Sequence, residues 1–238
     1  MNPFVRCLKF FVSDLMRKPL LSNHFQWPVF WALFSMAVPL QGQVFWSEDF
    51  ECVGSPSSGT RTPEVEVRAG NNDFFGRLQR QAGQPAGESG GSPVFVLGSS
   101  VSLANEFTNV SGDRFWAGED HDDSGVGGGG NAELEITWTG ISISGRANIA
   151  FSGLFAANND DNMESDDQLF VEYRIDNGSW VQGIRIARNG SGSGDDDWAL
   201  DTNNDGIGDS PEITEAFQEL TFAIIGTGST LHIMIWAD

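Results

Sequence analysis

Apolar residues recur at every second position along several short stretches of the chain. Leu134, Ile136 and Trp138 alternate with polar residues, and the segments 169–175 and 231–236 show the same period. A period of two places successive side chains on opposite faces of an extended strand. These three segments are therefore predicted to be half-buried β-strands.

A tight turn is predicted between two of the strands. Asp176-Asn177-Gly178 follows the segment 169–175 and leads into a second apolar stretch that ends near Ala187. Asn-Gly pairs readily adopt the positive φ angles of a two-residue hairpin turn. The two strands are therefore predicted to form an antiparallel β-hairpin.

The remaining pattern is also one of short strands and turns. Further strand candidates lie at 44–51, 65–67, 74–78 and 94–97. About ten strands separated by polar turns, with no sustained helical period, favour two packed antiparallel sheets over an α/β fold. The predicted fold class is all-β, an antiparallel two-sheet, jelly-roll-like β-sandwich. One modest helix is predicted at 213–220, because Pro211 and Glu212 are typical of a first helical turn.

The N-terminus has the features of an export signal. Four basic residues, Arg6, Lys9, Arg17 and Lys18, precede an apolar run over 29–38 that is too short to span a bilayer as a helix. We expect residues 1–42 to be a signal peptide cleaved after Gly42, although a retained signal anchor is the alternative. The rest, 43–238, is then one β-sandwich domain with no membrane span, located outside the cell or at its surface.

The charge balance narrows the range of partners. The chain has 13 basic and 33 acidic residues and a formal charge of −20. After cleavage nine arginines would face 32 acids, a charge of −23. Such an excess of carboxylates opposes binding to nucleic acid or anionic membranes and favours cations. A salt-rich habitat is the competing explanation. Only Cys52 would survive cleavage, so no intramolecular disulfide is expected.

One acidic segment matches a metal-binding pattern. Residues 201–212 read DTNNDGIGDSPE, which satisfies D-x-[DN]-x-[DN]-G-x5-E in full. Ca²⁺ takes six to eight oxygen ligands, and a tight loop supplies them from alternate positions. The predicted ligands are Asp201, Asn203, Asp205, the carbonyl of Ile207, Asp209 and Glu212, with Gly206 at the sharp turn. An acidic turn without metal is the alternative.

Two departures separate this loop from an EF-hand. Gly208 stands where an EF-hand usually has an apolar residue, and the preceding GSGSGDDDWAL does not predict an entering helix. The D-x-N-x-D-G-x-G-D core instead resembles the calcium loops of thrombospondin type 3 repeats and dockerin-like modules. The metal is therefore expected at the edge of a β-structure.

A second acidic cluster is a weaker candidate for calcium. It consists of Glu119, Asp120, Asp122 and Asp123, which precede a glycine-rich loop. Its spacing matches no stringent motif, and runs of charge are most often solvated surface. Metal binding and a solvated loop therefore both stay open here, and the acidic stretch 158–167 is weaker still.

Several segments together resemble a known type of module. These are DFE at 49–51, GTR at 59–61, DFFGR at 73–77, FWAGEDHDD at 115–123, ISGRANIAFSGLFAA at 143–157, DQLFVEYRIDNGSW at 167–180 and DTNNDGIGD at 201–209. They are similar to secreted bacterial jelly-roll modules of larger surface proteins. The resemblance covers most of 44–236, and it implies a lectin-like or adhesive accessory module with calcium in its loops.

Three functions are compatible with these features. The first is a non-catalytic extracellular module that binds polysaccharide or a cell-surface glycan. Four tryptophans are conceivable residues for stacking on a sugar, with Trp198 foremost and core packing as the alternative for each: Trp116, Trp180, Trp198 and Trp236. The second is a calcium-dependent glycosidase or polysaccharide lyase, although the chain contains no H-E-x-x-H. The third is a purely structural accessory domain in which calcium acts only in folding.

Overall fold

The structure of the chain is a computed structural model that describes most of the chain from residue 43 onward and one segment before it. The described residues are 6–14, 43–51, 56–64, 66–69, 74–82, 94–97, 101–104, 107–110, 112–119, 134–157, 168–190 and 197–237. This part of the chain contains fifteen β-strands and no helix. The strands are β1 Arg6–Asp14, β2 Gln43–Glu48, β3 Thr60–Thr62, β4 Glu66–Ala69, β5 Phe74–Arg80, β6 Val94–Leu97, β7 Val101–Ala104, β8 Arg114–Glu119, β9 Leu134–Ser142, β10 Ile149–Ala157, β11 Gln168–Ile175, β12 Val181–Arg188, β13 Trp198–Leu200, β14 Gln218–Ala223 and β15 Thr230–Ala237.

The strands form two sheets. A nine-stranded sheet has the order β14-β10-β1-β8-β5-β6-β7, with β2 paired to β1 and β4 paired to β5. A six-stranded sheet has the order β13-β12-β11-β15-β9-β3. Every strand pair in the described residues is antiparallel. The all-β, antiparallel prediction is therefore confirmed.

The two sheets pack face to face around a shared core. One large cluster of buried side chains draws on both sheets. Trp46 of β2 meets Trp138 of β9 edge to face, with ring centroids 6.3 Å apart. Tyr173 of β11 stacks on Phe222 of β14 with centroids 5.7 Å apart. These contacts join one sheet to the other, which gives the molecule its sandwich-like form.

The strands with period-two alternation lie where the sequence predicts them. In β11 and β15 every second residue is buried against the core, and β9 follows the same rule. The hairpin between β11 and β12 is present as well. Its positive φ angle is carried by Asp176, at 52°, and the turn closes with Gly178 N donating to Ile175 O at 3.0 Å.

The predicted helix at 213–220 is wrong. Ala216 forms an isolated bridge with Thr108, Phe217 N donates to Thr108 O at 3.2 Å, and strand β14 begins at Gln218. The spacing of Phe217 and Leu220 fits one helical turn, but each side chain enters a different core cluster. Packing of an extended segment therefore overrides the local pattern.

The N-terminal segment is only partly described. β1 pairs with β10 over nine residues, from Arg6 opposite Ala157 to Asp14 opposite Ile149. The apolar run 29–38 and the expected cleavage site after Gly42 lie outside the described residues. No helix in the described ranges is both long enough and apolar enough to cross a membrane.

A buried ion pair connects strands β2 and β3. Glu48 and Arg61 are 1% and 3% exposed, and the Arg61 NH1 group donates to Glu48 Oε2 at 2.7 Å. Glu48 also accepts hydrogen bonds from Phe50 N at 2.8 Å and from Trp138 Nε1 at 2.9 Å. The pair thus fastens β2 of one sheet to β3 and β9 of the other.

Candidate metal centre

The 201–212 segment lies at the edge of the six-stranded sheet, directly after β13. Three backbone hydrogen bonds hold it there: Asp201 N donates to Arg185 O at 2.9 Å, Gly208 N to Arg188 O at 2.7 Å, and Asp209 N to Leu200 O at 2.9 Å. The segment is therefore attached to β12 and β13 at both of its ends. This attachment fixes the positions of the acidic side chains between them.

Asp201 organises the first half of the loop. It is 4% exposed, and its Oδ1 accepts a hydrogen bond from Asn204 N at 2.6 Å while its Oδ2 accepts one from Gly206 N at 2.9 Å. The guanidinium of Arg185 stands 3.3 Å from the same Oδ2. Gly206 has a φ of 94°, which supports the predicted sharp turn at this residue.

The next two predicted ligands repeat one local geometry. Asn203 Oδ1 accepts a hydrogen bond from Asp205 N at 2.8 Å, and Asp205 Oδ1 accepts one from Ile207 N at 2.9 Å. Each side chain thereby turns back over the loop. The Asn203 amide nitrogen stands 3.2 Å from Asp205 Oδ2 and 3.4 Å from Asp209 Oδ1. A partial positive charge thus lies between two carboxylates, where a cation would interact more strongly.

Asp209 is held in its ionised form. The Thr202 hydroxyl donates to Asp209 Oδ2 at 2.6 Å, and Thr202 N donates to the same oxygen at 2.9 Å. The hydroxyl bond, followed by the backbone bond, holds the pKa of Asp209 below its ordinary value of 3.8, against a smaller opposing effect of burial. The carboxylate is therefore negatively charged at neutral pH.

The last two predicted ligands lie on the outer side of the loop. Ile207 is 43% exposed, and because its side chain is aliphatic only its backbone carbonyl could bind a metal. Glu212 is exposed and forms an isolated antiparallel bridge with Ala199, while its own carbonyl accepts a hydrogen bond from Gln218 Nε2 at 2.6 Å. The bridge brings the chain back to β13 after the loop.

The predicted carboxylates do not converge in one cluster. Within the described ranges no three His, Cys, Asp or Glu side chains are placed to hold a metal ion together. The predicted ligands all offer oxygen atoms, although Asn203 turns its amide nitrogen, and not its oxygen, toward Asp205 and Asp209. A set made only of oxygen donors suits Ca²⁺ and not the transition metals that favour imidazole or thiolate.

Gly208 shows why the loop differs from an EF-hand. A Cβ atom at this position would lie 2.6 Å from Ala187 O, 2.8 Å from Ala199 Cβ and 2.9 Å from Ala199 O. The loop backbone thus lies directly against β12 and β13, where no side chain fits. The glycine that departs from the helical motif is required by docking onto a sheet.

Trp198 does not form a surface for stacking. It is 1% exposed and borders a small apolar cavity together with Leu169, Ile186 and Ile213. An aromatic ring that stacks on a sugar needs an open face, so the expectation for Trp198 is corrected: its ring belongs to the core. Its place beside the acidic run suggests exposure, but pairing of β13 with β12 brings the ring into the core beside Ile186 and Ile213. Trp116, another conceivable stacking residue, is fully buried as well.

The second acidic cluster is largely outside the described residues. Glu119 is the last residue of β8 and pairs with Phe74 of β5. Asp120, Asp122 and Asp123 lie outside the described ranges, as does the acidic stretch 158–167. The calcium expectation for this cluster therefore stays a prediction.

Two residues outside the sequence motif contact the loop. Arg185 contacts Asp201, and the Gln182 amide donates a hydrogen bond to Asn204 Oδ1. Both are outward-facing residues of β12 that the hairpin prediction leaves without a role. The antiparallel pairing of β12 with β13 brings them to the loop, and local patterns do not report such pairings.

In comparisons with known proteins, no family model, no curated protein and no solved structure matches the chain. The functional argument therefore depends on the fold and on the geometry of the 201–212 loop.

Proposed function

We propose that this chain is a non-catalytic extracellular module that binds Ca²⁺ in the 201–212 loop and serves carbohydrate binding or cell-surface adhesion. We further propose that its sandwich-like fold is a jelly roll. The observation that supports the calcium proposal most strongly is the folding of Asn203 and Asp205 back over the loop. Their backbone hydrogen bonds each use one side-chain oxygen and bring the amide and carboxylate groups together.

The stabilising effect of the metal follows from charge. Asp201, Asp205, Asp209 and Glu212 place four carboxylates in twelve residues, and like charges so close together repel. A bound Ca²⁺ replaces this repulsion by attraction. Because the loop is attached to β12 and β13, an ion that binds only the folded loop stabilises the whole sheet edge.

Thermal unfolding of the full chain with calcium and with chelator tests the proposal. At free calcium one hundred times the Kd, binding stabilises the folded state by about 2.7 kcal/mol. For a domain of this size, that corresponds to a rise in Tm of roughly 5–10 °C. We expect Asp205→Asn to lose most of this rise, since it removes a charged ligand while keeping the side chain's shape.

Asp49→Asn is the matched control. Asp49 is also an exposed aspartate whose Oδ1 accepts a backbone N–H from two residues ahead, Glu51 N at 3.0 Å, but it lies outside the loop. This variant should keep the full calcium response. Identical melting curves of the wild type with calcium and with chelator would sink the calcium proposal.

A further inference from the structure

The outer face of the six-stranded sheet carries a fixed pair of aromatic rings. Phe170 of β11 and Trp236 of β15 are cross-strand partners, and their rings stack with centroids 4.0 Å apart and planes 10° apart. Both residues are only half buried, in contrast to their inward-facing neighbours. Trp236 Nε1 donates a hydrogen bond to Glu172 Oε2 at 3.0 Å. The indole is therefore held in one orientation at the surface.

Phe170 stacks on one face of the indole, and Trp236 as a whole is only half buried. Phe170 covers the side of Trp236 that faces β11. Because β15 lies between β11 and β9, the opposite side of the ring is turned toward β9, where Glu135 is exposed opposite Trp236 and Thr137 lies opposite Met234. A rigid aromatic surface bordered by polar groups is the usual composition of a ligand-binding face.

One side chain connects the aromatic pair to the 201–212 loop. Arg185 of β12 lies opposite Phe170, and its guanidinium carbon is 5.3 Å from the centre of the Phe170 ring. Its Nε and one terminal nitrogen donate to Gln168 Oε1 at 2.8 and 2.5 Å. Its other terminal nitrogen stands 3.3 Å from Asp201 Oδ2. The same arginine therefore contacts both the 201–212 loop and the aromatic pair.

The charges on this face select among partners. The whole chain carries −20, but here the charges nearly balance, since Arg174 and Arg185 stand among three carboxylates, those of Glu135, Glu172 and Asp201. An anionic polymer would gain little from such a balanced face, and the rest of the molecule would repel it. An uncharged ligand with many hydroxyl groups is not repelled. Its hydroxyls can pair with guanidinium and carboxylate groups, and its C–H faces can lie on the indole.

We propose that the outer face of the six-stranded sheet around Trp236 binds a linear chain of neutral sugars. The indole covers the C–H face of one sugar ring, and Glu135 and Thr137 of β9 pair with hydroxyl groups beside it. The sheet surface is open along its strands, so it accommodates an extended polymer. This inference deepens the proposed carbohydrate function and rests on it.

Affinity electrophoresis of the full chain tests this directly. Native gels that contain soluble glucan, mannan or xylan, run with calcium, should retard the wild type in at least one case. Trp236→Ala should weaken the retardation at least tenfold, and Trp236→Phe, which keeps a smaller ring, should lie in between. Phe45→Ala is the matched control, because Phe45 of β2 is also a half-buried aromatic ring but belongs to the other sheet. The Arg146 guanidinium lies 3.8 Å from its centre, as Phe170 lies on the ring of Trp236.

The outcomes separate this inference from the calcium proposal. An unchanged calcium-dependent rise in the Tm of Trp236→Ala shows that the variant is folded and its loop intact. Loss of retardation in that variant alone supports the binding face. The inference is overturned if none of the three neutral polymers retards the wild type, if Trp236→Ala migrates like the wild type, or if only the anionic polymer alginate causes retardation. None of these results alters the melting experiment on the loop.

Discussion

At the scale of single residues, the buried pair of Glu48 and Arg61 has the clearest energetic role. A carboxylate and a guanidinium that are both almost fully buried are stable only when each is paired and hydrogen-bonded. The sequence shows both residues in short segments without strong motifs, beside DFE and inside GTR. Their pairing joins positions from different sheets, so local sequence cannot reveal it.

The pair predicts a specific pattern of stability. Arg61→Met leaves the Glu48 carboxylate buried without its cation and should lower the free energy of unfolding by about 3–5 kcal/mol. Glu48→Leu combined with Arg61→Met removes both charges and should recover a large part of this loss. Recovery is incomplete because Phe50 N and Trp138 Nε1 lose their acceptor. Urea unfolding of both variants measures the difference, and a single variant within 1 kcal/mol of the wild type would refute the role of the pair.

At the scale of elements, prediction succeeds where a period extends over enough residues. β9, β11 and β15 each have at least eight residues, and their alternation is visible in the sequence. β3 and β13 have three residues each, too few to show a period. The false helix at 213–220 arises because two apolar residues three positions apart fit one helical turn equally well. The 201–212 loop is visible in the sequence because the spacing of its acidic residues is local, and its metal stays a prediction.

The contact of the loop with the sheet gives a test at this scale. Gly208→Ala places a methyl group within 2.6 Å of Ala187 O, so the loop must move off β12 and β13. We expect a loss of stability of about 1–3 kcal/mol and a weaker calcium response. Gly178→Ala is a milder comparison, since its Cβ would lie 3.1 Å from Ile175 O. Calcium-dependent melting of both variants measures this, and equal behaviour would argue against tight docking of the loop.

At the scale of the whole molecule, the sequence predicts the class of fold but not the order of its strands. β9 pairs with β15, and β3 pairs with β9, across long stretches of chain that no local pattern connects. The acidic balance of the chain is visible in the sequence, whereas the balanced face around Trp236 becomes visible only when the strands are placed side by side. Trp198, where stacking is expected from the sequence, is buried, and the residue proposed here for that role, Trp236, lies on β15.

The central claim is that the 201–212 loop binds Ca²⁺, and calorimetric titration of the full chain with calcium tests it most directly. We predict saturable binding for the wild type and for Asp49→Asn, and a loss of at least tenfold in affinity for Asp205→Asn. Binding of equal affinity in all three proteins would place the ion elsewhere, and the absence of any binding heat together with an unchanged Tm would contradict the account.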